Sequence, residues 1–302
     1  MRQMFNEVAS NKLKSVLLIC VFILVIGALG AAIGIAYGNA YFGLAISVIF
    51  SLSYSLIMFF SGDRMLLGIS SAKPVTKQEH PYLYHTLEGL AIAGDIPVPK
   101  AYVIDDTAMN AFATGRDPKH ASITVTTGLL KALNRHELEG VVAHEISHVK
   151  NYDIRFMMMT AVLVGVVVLL GDFLLRTFVW GGSRHKSNNS RSSGQLQVIL
   201  IVAGIALAIL APLIGELIKL AISRRREFTA DASAAVLTRY PPGLAAALKK
   251  IANDPDPLID HANRSTAHLF ISTPFREKRG FVMGLFSTHP PIEERIKRLE
   301  EM

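Results

Sequence analysis

His144-Glu145-Ile146-Ser147-His148 is the run in this chain whose residue types and spacing suit hydrolytic metal chemistry. In a helix, residues i and i+4 lie one above the other, so two imidazoles can point at one ion. Zinc accepts such nitrogens at about 2.0–2.1 Å. Glu145 is too near in sequence to coordinate with them, and it is placed to act as general base on a water beside the metal. Zinc lowers the pKa of its water toward about 7, so the base has a modest task at neutral pH. The bland alternative is a pair of partly buried histidines on an amphipathic helix. A catalytic zinc usually has three protein ligands and one open position, so a third donor must be sought elsewhere.

Where to look depends on how the chain is laid out. Hydrophobic residues make up 51% of the 302 residues and charged residues 18%, against about 25% charged in an ordinary soluble domain. The excess falls in four blocks. From Ser15 to Gly62 there is no charged residue, a stretch of about 48 residues where ~20 suffice to cross a bilayer as a helix. Gly38-Asn39 is a turn signal inside it. It therefore reads as two membrane helices, about 15–37 and 41–61, and as an uncleaved anchor in preference to a signal peptide. Further blocks run from Phe156 to about Trp180 and from about Gln195 to Ile222. They carry Asp172, Arg176, Glu216 and Lys219, so a tilted or partly embedded hairpin is an alternative there. The Ser/Asn/Gly-rich stretch Gly181–Gly194 reads as a mobile loop.

Basic residues flank the first, second and fourth blocks: Lys12 and Lys14, Arg64 and Lys73, Arg224 to Arg226. The positive-inside rule puts all three flanks in the cytoplasm, although Arg184, Lys186 and Arg191 run against it. Four crossings bring the chain back to its starting side, so both termini and the segments 62–155 and 223–302 share one compartment. The net charge of +7 is read as a membrane signature, with no nucleic-acid partner. Cys20 is the one cysteine, so no intramolecular disulfide holds the fold.

The third donor is then sought after the fourth block, where Arg226-Glu227-Phe228-Thr229-Ala230-Asp231 sets two carboxylates at i, i+4. Glu227 is the expected third ligand. Asp231 is the expected partner of a ligand histidine, fixing its tautomer through a hydrogen bond. The alternative is a solvated helix face pairing with Arg224 to Arg226.

The elements that must position these residues read as a small α+β body. A helix is expected in 74–99 on Tyr82, Leu83, Leu87, Leu90 and Ala91, ended by Gly94 and Pro97. Strands are expected at Ala101–Ile104, Asn110–Thr114 and Ser122–Thr126, the last two joined by Gly115-Arg116-Asp117-Pro118 as a hairpin or loop. Helices follow at about Gly128–Leu133 and from Arg135, the second carrying Leu138, Val141, Val142, Ile146 and Val149 on one face. Met157 to Met159 read as packing.

HEISH, then RRREFTAD after a membrane hairpin, then Ser287-Thr288-His289-Pro290-Pro291 with Arg295, resemble the M48 peptidases. The short chain, the four apolar blocks and Met109-Asn110-Ala111-Phe112-Ala113-Thr114-Gly115 look most like the bacterial heat-shock branch of that family. The resemblance implies a gluzincin fold with one Zn2+ per chain on His144, His148 and Glu227, and Glu145 as base. It implies that His289 lies near the metal and hydrogen-bonds an oxyanion. Arg295 would orient His289 or a carboxylate. Asn110, Ala111, Phe112 and Ala113 would take an extended substrate at a strand edge; Asn110 also fits a turn role, and His289 and Arg295 a turn histidine and a solvated arginine.

The expectation is thus an α+β, mainly helical integral membrane protein with four transmembrane helices and a cytoplasmic zincin domain with a small sheet. Its parts are 1–61 (anchor), 62–155 (domain with the HExxH helix), 156–222 (second hairpin) and 223–302 (completing the site). The expected function is a zinc metalloendopeptidase of the bacterial inner membrane, acting in stress response and quality control on misfolded or membrane proteins, with the lipid bilayer as its other partner. A prenyl-protein (CAAX-type) endopeptidase is the runner-up. A membrane chaperone with structural zinc is disfavoured because such sites prefer cysteine. A cation transporter using Asp172 and Glu216 fits poorly with a large HExxH domain.

Overall fold

The computed structural model describes residues 2–163, 165–166, 224–256, 269–272 and 290–302. Helices α1 (Arg2–Ala36) and α2 (Ala40–Ile69) form a hairpin. Both are longer than the apolar run requires, because charged residues end the hydrocarbon stretch without ending a helix. At 1.5 Å per residue they reach about 52 and 45 Å, against ~30 Å of hydrocarbon. Their ends therefore project beyond it. The turn sits where Gly38-Asn39 predicts. Gly38 has φ +86, and the Asn39 side chain accepts from the Phe42 N–H at 3.0 Å, capping α2. The two helices meet through glycines: a Cβ on Gly43 would lie 2.2 Å from the Gly30 carbonyl oxygen, the close approach that small residues allow between membrane helices. Leu17, Leu24, Tyr41, Phe42, Ile46 and Ile49 remain exposed on the pair. These two are the helices, among the described residues, that are long and apolar enough to cross a membrane. Most of the third block and all of the fourth lie outside the described residues. The start of the third is a helix, α6, described over 153–163, and Phe156 and Met157 to Met159 are buried in it.

Beyond the pair, α3 (Pro81–Gly94) covers a mixed sheet of β1 (Lys73–Pro74), β2 (Lys100–Ile104), β3 (Ala111–Gly115) and β4 (Ala121–Thr126). Leu83, Leu87, Leu90 and Ala91 of α3 are buried as expected, whereas Tyr82 is exposed. The strand order is β1-β2-β4-β3, with β2 and β4 parallel and the other pairs antiparallel. The chain passes the place of β4, makes the edge strand β3, and returns through Gly115 (φ +142), where a Cβ would strike the His120 carbonyl at 2.3 Å. The parallel pairing was not expected, because β4 continues into α4 (Thr127–Ala132) and only packing selects its neighbour.

α5 (Arg135–Lys150) runs through the centre of this body. A capping box starts it: the Asn134 side chain accepts from the Glu137 N–H at 3.0 Å, and the Glu137 carboxylate accepts from the Asn134 N–H at 2.7 Å. Lys250 adds a 2.7 Å bond to the same carboxylate. Helices α7 (Arg224–Thr238), α8 (Pro241–Ala252) and α9 (Ile292–Glu300) enclose the rest. α5 and α8 touch at Gly140, where a Cβ would meet Leu244 backbone N at 2.6 Å. Alanine is intrinsically better than glycine in a helix by roughly 1 kcal/mol. Here the neighbour is backbone and cannot swing aside, and overpacking costs about 1–3 kcal/mol. Gly140→Ala is therefore expected to lower the thermal midpoint; a rise would mean the two helices are not held this closely.

Candidate active site

His144 and His148 sit one turn apart near the end of α5, both buried. Their Nε2 atoms are 3.2 Å apart. Glu227, in the first turn of α7, faces both: Oε2 is 3.6 Å from His144 Nε2 and Oε1 is 3.6 Å from His148 Nε2. A tetrahedral site with ligands at about 2.0–2.1 Å has edges of roughly 3.3–3.4 Å. The three observed separations bracket that value.

The rings are aimed from behind. Asp231, one turn after Glu227, has Oδ1 2.9 Å from His144 Nδ1. Asp153 has Oδ2 2.9 Å from His148 Nδ1. With each Nδ1–H donating to a carboxylate, both Nε2 lone pairs point into the same space. Two lone pairs at 3.2 Å require a shared proton or a cation between them. Burial opposes a charge on His144, but Asp231 and Glu227 outweigh it and push the imidazole up to about 9. The field that holds a proton there also favours a divalent cation.

Arg295 of α9 is fully buried and closes the site from a third side. Its Nε donates to Asp231 Oδ2 at 2.9 Å and its Nη2 to Asp231 Oδ1 at 2.7 Å, a bidentate pair. Burial alone would raise Asp231, but Arg295 and His144 hold it down to about 2. Arg295 also donates to the Ile271 carbonyl at 3.1 Å. Glu145 is buried beside these groups. In formal charges, the carboxylates of Glu145, Asp153, Glu227 and Asp231 outnumber the guanidiniums of Arg226 and Arg295 by two, which suits a divalent ion.

Asp153 escaped the sequence reading. Its position just past the HExxH helix gives no periodic signal. What directs it is Tyr152, in the left-handed region at φ +61, which turns the chain back so that α6 starts under His148. Arg226, by sequence a charge flanking the fourth block, lies buried with Nη1 3.8 Å from Asp153 Oδ1. His289 lies outside the described residues.

The strand read as a substrate edge is β3. Asn110, just before it, is buried; its Oδ1 accepts from the Ala111 N–H at 3.0 Å and its Nδ2 donates to the Ser272 carbonyl at 3.2 Å. The Ile271 N–H donates to the Ala111 carbonyl at 2.9 Å. Phe270 packs on Phe112 at 5.0 Å between centroids. Residues 269–272 thus lie along the first part of that edge. At the far end the guanidinium of Arg116 covers the Phe60 ring of α2 at 5.1 Å, so the edge runs toward the apolar hairpin.

A helix bearing His-Glu-x-x-His, met by a carboxylate from a second helix, defines the class as a metallopeptidase. The profile of peptidase family M48 matches residues 77–302. The protease HtpX homolog of Dictyoglomus thermophilum is 43% identical over 298 residues, 99% of this chain and 94% of that one. The protease HtpX homolog of Tropheryma whipplei is 42% identical over 299 residues, 99% of this chain and 98% of that one. Among solved structures, S. mikatae Ste24p matches with a TM-score of 0.50 at 17% identity, covering 99% of this chain and 66% of that chain, a likeness of fold. The chain belongs to peptidase family M48 and is a metalloprotease.

Proposed function

We propose that this chain is a zinc endopeptidase that cleaves misfolded proteins, membrane proteins among them, at the membrane surface. The observation that carries it is the His144, His148 and Glu227 donor set, with separations of 3.2, 3.6 and 3.6 Å. Two nitrogens and a carboxylate oxygen are borderline donors suited to zinc. One zinc per chain, held by these three residues, would supply Lewis acidity and an acidified water. Glu145 takes the water proton and returns it to the leaving amine. Asp231 and Asp153 keep the two imidazoles in the tautomer that turns Nε2 inward. Arg295 keeps Asp231 charged and in place. His289 donates to the developing oxyanion, where loss of one donor typically costs about 10²–10³ in rate.

A substrate segment adds to the part of the β3 edge beyond Ala111, toward α2. The side chain of Asn110 helps to shape that edge. The approach of β3 to α2 supports a substrate that arrives from the membrane. The charges at Lys12, Arg64 and Lys73 support a cytoplasmic site on the inner membrane. Quality control as the cellular role rests on the family.

In detergent, the wild-type chain is expected to cleave an unfolded protein such as casein. A chelator should abolish cleavage, and added zinc should restore it. Cleavage that persists with all metal removed would overturn the proposal.

A further inference from the structure

The site has a tie to the first membrane helix that its chemistry does not call for. Asn11 of α1 is fully buried, 142 residues away from Asp153 in sequence. Its Nδ2 donates to Asp153 Oδ1 at 2.6 Å and to the Asn151 carbonyl at 3.0 Å. Asp153 uses its other oxygen on His148 Nδ1. Arg226, beside Glu227, faces the same Oδ1 that Asn11 holds, at 3.8 Å. One carboxylate therefore joins α1, the end of α5 and the start of α7.

We propose that Asn11 is a positioning residue of the metal site, acting through Asp153 on His148, so that seating of the first membrane helix and metal affinity are coupled. The inference rests on the zinc-site reading above. The alternative is that Asn11 is a plain helix–helix tether. Two observations weigh against it. The shorter of the two bonds goes to the carboxylate and not to the helix end. The Asn11 Oδ1 atom is buried with no hydrogen-bond partner among the described residues. A buried amide with one end unsatisfied gives back much of what its other end contributes, since an unmade bond costs about 1–3 kcal/mol. As a tether alone it is a poor choice beside an apolar residue. As a donor aimed at Asp153 it fixes the rotamer that His148 needs. A carboxylate free to rotate would let the imidazole turn or change tautomer, and affinity would fall. Coupling of this kind is reciprocal: bound metal would also hold α1 more firmly.

The test is zinc affinity in the full chain in detergent, by competition with a chromophoric chelator. All proteins carry Glu145→Gln so that self-cleavage cannot intrude. Asp153→Asn is expected to weaken binding about 10–100-fold, as losses of histidine partners do, and Asn11→Leu about 3–10-fold. Added to Asp153→Asn, Asn11→Leu should cost nothing more, because the route it acts through is gone. Ser15→Ala, on the same helix and bonded to the Asn11 carbonyl at 2.8 Å, should leave affinity unchanged. Should leucine prevent folding, Asn11→Gln shifts the amide by one methylene and should give a smaller loss in the same direction. Unchanged affinity in the folded Asn11 variant, or an equal loss with and without Asp153, overturns the proposal and leaves a tether. If the Glu145→Gln parent takes up no zinc at all, the zinc-site reading falls, and the role of Asn11 with it.

Discussion

Glu145→Gln is expected to hold as much zinc as the wild type and to cleave nothing measurable. The substitution keeps the size and buried position of the side chain, which lies in the C-terminal half of α5 between the two histidines. It leaves the nitrogens of His144 and His148 and the carboxylate of Glu227 untouched. In the proposed mechanism it removes the group that accepts the water proton and returns it to the leaving amine. General acid–base catalysis by a single group is worth about 10²–10⁴ in rate. In the proposed mechanism one carboxylate serves both transfers, so the upper part of that range is expected. The measurement is paired: zinc per chain by elemental analysis, and casein cleavage in the same preparation. Equal zinc with no turnover fixes Glu145 as the base. Turnover at the wild-type rate means that another group does that work.

The second large effect is expected from Glu227→Ala, and it differs in kind. Glu227 faces both Nε2 atoms at 3.6 Å. On the proposed ligand set, an ion would keep two neutral nitrogens and lose the anionic donor of the three. Loss of a residue that merely orients a ligand costs about 10–100-fold in affinity; loss of a ligand should cost more. Purified Glu227→Ala should therefore carry well under one zinc per chain and show no activity, with partial recovery only in excess zinc. The fold should survive, because the bidentate Arg295–Asp231 pair and the capping box of α5 do not depend on Glu227. A folded Glu227→Ala chain with full zinc occupancy would remove Glu227 as a ligand and direct the search to the other buried carboxylates.

These two expectations draw on different depths of information. The pairing of His144 with His148 could be read directly, because a helix repeats every 3.6 residues and i, i+4 is a property of the local chain. The same holds for α3 and α5, whose apolar faces recur at helical spacing, and for the turn at Gly38. The helix ends were read less well. α1 begins at Arg2 and α2 runs to Ile69, because the boundary of a membrane is visible in composition while the end of a helix is set by capping and packing. Tyr82 looked like part of the buried stripe of α3 and is exposed, since spacing cannot say how wide the covered face is.

Sequence by itself determined the chemistry on offer: two histidines on one helix face with a glutamate between them, a second helix with carboxylates at i, i+4, and an apolar hairpin long enough for a membrane. Each of these is a relation within a few residues, where covalent geometry sets the distances. Only the tertiary structure decided that Glu227 meets both nitrogens, that Arg295 buries its charge against Asp231, that residues 269–272 line the β3 edge, and that Asp153 and Asn11 stand behind His148. Those are meetings between segments far apart in the chain. They follow from how α5 is packed among α3, β3, α7 and α8, with α9 laid against α7 and α8, and from one left-handed residue at Tyr152, and no local period encodes them.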